Sequence, residues 1–118
     1  MNFKVGALYV AYQTLVAIAT ENDKIPSKAA YWIARMVKRL EPEYVPAENA
    51  RIALIKEFGD KTDSGWAVTS RFSEFSEKWS EICESETDLV PIIVKIGTLD
   101  GVQMTAQQML TIEKFVEE

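Results

Sequence analysis

The side chains of this sequence that could do chemistry are acids, amines and one thiol. The chain contains no histidine. That removes the commonest general base and the commonest metal ligand. The single cysteine, Cys83, cannot form an intrachain disulfide or build a zinc cluster. It follows Ile82 in an amphipathic stretch and reads as a small apolar filler rather than a nucleophile. No glycine-rich phosphate loop, no G-x-G-x-x-G and no G-x-S-x-G is present. Asp60–Gly65 holds acids near a glycine, but their offsets do not match a calcium loop. Paired carboxylates remain, and these can exchange protons or hold a cation. Glu81, Glu84, Glu86 and Asp88 are the densest group, near the end of a helix, where solvated charge is the plainer reading. The expectation is therefore a protein with no catalytic residue, no metal site and no cofactor.

Two charged surfaces are candidates for binding instead. Lys28, Arg35 and Arg39 recur at helical steps, Lys38 lies alongside, and Tyr31 and Trp32 sit between them. This is a possible partner-binding face, because a half-exposed tryptophan beside arginine is a frequent interface anchor. Its nucleic-acid reading is the weaker one in a chain of net charge -5. Glu74, Glu77, Glu81, Glu84, Glu86 and Asp88 could form an acidic face of the kind that imitates nucleic acid. Charge is also uneven along the chain. Residues 1–58 carry eight basic and six acidic side chains, and residues 59–118 carry five basic and twelve acidic. The two halves can pair within one chain or between copies.

The elements that position these groups are mostly helical. With 118 residues the chain suits one domain spanning 1–118. Val5, Leu8, Tyr9, Tyr12, Leu15, Val16 and Ala19 mark one face of a helix over 4–20, and small residues fill the other. A helix apolar nearly all round is packed on several sides. Lys4 followed by an apolar run superficially resembles a secretory signal, but Gln13 and Thr14 break it, and Val5–Thr20 is short for a membrane span. Pro26 suits the first turn of a second helix, with Ser27 as a possible cap. Pro42 and Pro46 predict a kink or a break near 41–45, followed by helix to Phe58. Phe72, Phe75, Trp79 and Ile82 predict a third helix over 70–84. Residues 88–96 read as a short β segment whose mate is Trp66–Val68 or another chain. Thr105 to Gln108 has the form of a capping box opening a last helix. The expected fold is mainly α, a helical hairpin or small bundle with one short extended segment near 88–96.

The middle of the chain also resembles a family of small uncharacterised phage and prophage proteins. The likeness rests on Lys24-Ile25-Pro26, Ala30-Tyr31 with Ile33-Ala34-Arg35, Arg51 with Leu54-Ile55, Phe58-Gly59, Asp63-Ser64-Gly65, Phe75-Ser76-Glu77 and Met104-Thr105. These are turns and apolar spacings, and the family shows an unbroken helix where this sequence has Pro42 and Pro46. The resemblance implies a helical hairpin packed by a small C-terminal part. It names no catalytic residue. The resulting expectation is a phage-encoded accessory protein, either a virion component or an assembly factor. It would act on itself or on a phage structural protein, without a membrane, in the bacterial cytoplasm or the virion. A small acidic inhibitor of a host protein is the alternative.

Overall fold

The computed structural model describes residues 2–118. Its four α-helices are α1 (Val5–Glu21), α2 (Ser27–Phe58), α3 (Phe72–Glu84) and α4 (Ala106–Ile112). Six short strands pair two by two: β1 (Asn2–Lys4), β2 (Asp60–Thr62), β3 (Gly65–Ala67), β4 (Glu86–Asp88), β5 (Val94–Lys95) and β6 (Val116–Glu117). The chain is mainly helical, as its periodicity predicts, but the extended structure is distributed differently.

Helix α1 is central and packs against α2, α3 and α4. Its inward residues Leu8, Ala11, Leu15 and Ile18 are among the most buried in the protein. They meet Ile33, Met36 and Leu40 of α2, with Leu99, Ile112 and Phe115 closing the far side. Burial of a large aliphatic side chain stabilises by roughly 1.5–3 kcal/mol, so this cluster dominates the fold. Asn22 stops the helix. Its amide donates to the Ile18 and Gln103 carbonyls, and its side-chain oxygen accepts from the Gln103 N–H. One residue thus caps α1 and ties it to the loop before α4.

Helix α2 runs unbroken through both prolines, so of the expected kink or break the break does not occur. The two prolines lie one turn apart, and both are exposed. The carbonyls that lose their helical donors therefore lie on the solvent side, where water can donate to them. Leu40 and Ala47 anchor the opposite side. Pro26 sits just outside the helix as its N-cap, not in the first turn, and its carbonyl accepts from the Ala30 N–H. Ser27 is the first helical residue and makes no side-chain cap.

The 88–96 expectation is corrected in the same way. Within it Asp88 ends β4, and Val94 and Lys95 form β5, whose mate is Val116–Glu117, in parallel. Glu86–Asp88 pairs antiparallel with Asn2–Lys4. Trp66 pairs instead with Lys61 across a tight hairpin. Residues 89–93 join no ladder. Pro91 offers no N–H donor there. The capping box is present: the Gln108 N–H donates to Thr105 Oγ1, and the Thr105 N–H donates to Gln108 Oε1.

The result is elongated. The radius of gyration is 16.3 Å, against about 13.5 Å for a compact chain of this length. Helix α2, about 48 Å long at 1.5 Å per residue, sets the longest dimension of 47 Å. The core lies along its first half. Helix α3 contributes no fully buried residue.

Where α3 meets α1 the backbones approach closely. A Cβ added at Gly6 would stand 2.9 Å from Cys83 Cβ and 3.2 Å from the Cys83 carbonyl oxygen. Neither atom is the free end of a flexible side chain. Gly6→Val is expected to cost roughly 1–3 kcal/mol by overpacking, a fall in Tm of about 5–15 °C. An unchanged melting curve would show that α3 does not sit against α1 in this way.

Candidate binding face

The first half of α2 carries the basic and aromatic residues singled out by their spacing. Arg35 is their centre. Its guanidinium carbon lies 5.2 Å from the Trp32 ring centroid and 5.8 Å from that of Tyr31. The two rings meet edge to face at 5.4 Å. Trp32 is half-buried against the core, whereas Tyr31 is 57% exposed. Such cation–π contacts are worth about 0.5–1 kcal/mol at an exposed site. Here they bias the guanidinium toward the two rings.

The remaining cations border the segment before β5. Arg39 donates to the Val90 carbonyl at 3.1 Å. Arg35, Lys38, Arg39, Pro42 and Ile92 line a shallow groove of about 330 Å³. Lys28 and Trp32 line a second one, of about 240 Å³, with Ile93, Val94, Lys95 and Thr98. Lys38 stands 4.0 Å from Glu41, and Lys95 stands 3.7 Å from Glu117. Lys28, Arg35 and Arg39 have no carboxylate partner among the described residues. Lys28, Tyr31, Trp32, Arg35, Lys38 and Arg39 all lie on the first half of α2. Lys95 and Ile92 are added by the tertiary fold, and no local pattern foretold them.

The six acids are all exposed and come from two consecutive elements. Glu74, Glu77, Glu81 and Glu84 share the outer side of α3, whereas Glu86 and Asp88 belong to β4. Glu74 is paired with Arg71, Glu81 is near Lys78, and Glu84 binds Lys4 at 2.6 Å. Among the described residues no group of acids and cysteine converges as metal ligands would. Cys83 is half-buried, and burial, followed by the nearby Glu84, pushes its thiol up. A thiol so placed is a poor nucleophile.

One polar cluster escaped the sequence reading. Tyr9 and Tyr44 both donate to Glu48 Oε2, at 2.6 and 2.8 Å, and Arg51 donates to Glu48 Oε1 at 2.7 Å. The rings of Tyr9, Tyr12 and Tyr44 stack, and Trp79 of α3 meets Tyr9 edge-on. The spacing of Tyr44, Glu48 and Arg51, within two turns of helix, was its only local sign. Burial, then the bond to Glu48, pushes the Tyr9 hydroxyl up to about 12. Burial also pushes the Glu48 carboxyl up. The hydrogen bonds from Tyr9, Arg51 and Tyr44 outweigh it, so the group sits below the ordinary carboxylate range. The cluster fastens α1, α2 and α3 together where the apolar core has ended.

No family model, no curated protein and no solved structure matches the chain.

Because Glu48 has a lowered folded pKa, its contribution is full above the unfolded value of about 4.3 and is lost as pH falls through the folded value. Glu48→Gln is expected to cost roughly 2 kcal/mol at pH 7, as for hydrogen bonds to a charged group. Urea unfolding of the two proteins should converge as pH falls through the lowered pKa of Glu48. A difference independent of pH would contradict the charged-acceptor role.

Proposed function

We propose that this chain is a non-catalytic binding protein, and that the basic, aromatic face of α2 meets an acidic segment of a protein partner. One observation carries the reading. In a chain with excess acid, Lys28, Arg35 and Arg39 keep no carboxylate partner among the described residues. Two of the three are nonetheless held in place, Arg35 by the aromatic rings and Arg39 by the Val90 carbonyl. Cations fixed in advance lose little freedom when an anion binds, which favours affinity.

A protein partner is favoured over nucleic acid by what lies beside the cations. Pro42 and Ile92 share the groove with Arg35 and Arg39, apolar neighbours that suit side chains of a protein partner better than a phosphate backbone. The acidic-inhibitor reading draws less support, because Arg71, Lys78 and Lys4 offset half of the proposed acidic residues. The non-catalytic reading is supported by the raised Tyr9 and Cys83 and by the fully engaged Glu48. The resemblance to small phage and prophage proteins supports a partner in virion structure or assembly, or a second copy of the chain. The setting would be the bacterial cytoplasm or the virion. No helix among the described residues is long and apolar enough to cross a membrane.

Fluorescence anisotropy with a labelled Asp/Glu-rich peptide and an oligothymidylate of equal charge tests the reading. The peptide should bind, more weakly as salt rises, and Arg35→Glu with Arg39→Glu should weaken it roughly tenfold or more. Both side chains are exposed, so the melting temperature should hold. Equal binding by the double variant, or binding of the oligonucleotide alone, would overturn the proposal.

A further inference from the structure

Beside the basic face a third groove runs between the C-terminal half of α1 and the N-terminal half of α2. It has a volume of about 410 Å³. Seven of its nine lining residues are apolar, and the one charged residue is the cation Lys38. Val16, Ile25 and Val37 form its walls, and Ala19, Ala30 and Ala34 are exposed along it. Ala30 and Ala34 are one turn apart on α2, so this stretch of helix has no side chain to hold another backbone away. Lys38 also lines the groove that contains Arg35 and Arg39. The apolar channel and the cationic rim are therefore continuous.

We infer that the docking element of the partner is an amphipathic α-helix with acidic side chains along one border of its apolar stripe. The stripe lies between Val16 and Val37, over the alanines, and the acids meet Lys38 and Arg35. The inference rests on the proposed contact with an acidic partner and specifies its form. A trough between two packed helices suits a third helix better than an extended strand, because a helix offers anchors at i, i+3, i+4 and i+7 on one side. An extended peptide would also leave its own backbone polar groups unpaired over an apolar floor. The border charge sets the sign. Glu41 stands 4.0 Å from Lys38, and it is not among the lining residues. A second copy is a poorer occupant. The chain's own acidic amphipathic helix, α3, already turns its stripe inward, with Trp79 on Tyr9 and Cys83 on Gly6.

The probe is a labelled synthetic peptide of about 18 residues, five helical turns, with leucines at i, i+3, i+4 and i+7 bordered by Glu. One control has Lys for Glu, and the other has the same composition scrambled. The Glu peptide should bind roughly tenfold tighter than either control and gain helicity by circular dichroism. Ala34→Trp fills the groove at an exposed position, and Lys38→Glu reverses its rim. Each should weaken binding by roughly tenfold. If Ala34→Trp disturbs the fold, Lys38→Glu carries the test. Equal binding of the scrambled peptide overturns the groove while leaving the acidic-partner reading intact. No binding of any acidic peptide below about 1 mM overturns both. A dimer by light scattering that Ala34→Trp dissociates assigns the groove to a second copy and also overturns the inference.

Discussion

An uncharged helix must be covered, and the rest of this structure follows from how far α1 is covered. No charge occurs from Val5 to Thr20. The helix therefore cannot face water on any broad side without exposing apolar surface. Helices α2, α3 and α4 take three directions. What they leave is a line of small or branched residues stepping across α1: Ala7, Val10, Val16 and Ala19 are all exposed. The last two border the groove whose other wall is α2. The same shortage of covering elements that shapes the fold thus supplies the surface proposed to bind.

The length of α2 has a second consequence. Apolar packing is concentrated on its first half, around Ile33, Met36 and Leu40. Beyond Ala47 the described part of the helix buries only Phe58, and Arg71 lies over that ring at 4.6 Å. The second half is held by directional contacts: the Glu48 network, the stacked tyrosines and the β2–β3 hairpin. Directional contacts fix geometry but add less than burial does. The face proposed to bind accordingly stands on the well-packed half, where its side chains have a rigid support.

Much of this was legible in the chain itself. Apolar residues at three- and four-residue steps marked α1 and α3 to within two residues of their ends, and Thr105 marked α4 through its capping box. Helical steps also gathered Lys28, Arg35 and Arg39, because one helix carries all three. Failure came where the determining partner is remote in sequence. Val94–Lys95 finds its ladder at Val116–Glu117, and Tyr9 finds Glu48 across the fold. Neither relation leaves a local period. The prolines misled for another reason: their effect depends on which side of the helix they occupy, and Pro42 and Pro46 both occupy the wet one.

The central claim is that α2 and its border with α1 form a contact surface, apolar on one side and cationic on the other. Backbone amide shifts of the labelled full-length chain, recorded as the Glu-bordered helical peptide is added, test it most directly. The account predicts perturbations concentrated at Val16, Ala19, Ala30, Ala34, Arg35 and Lys38, with α3 and the β2–β3 hairpin unmoved. Shifts gathered instead on α3, or spread evenly over the protein, would contradict it.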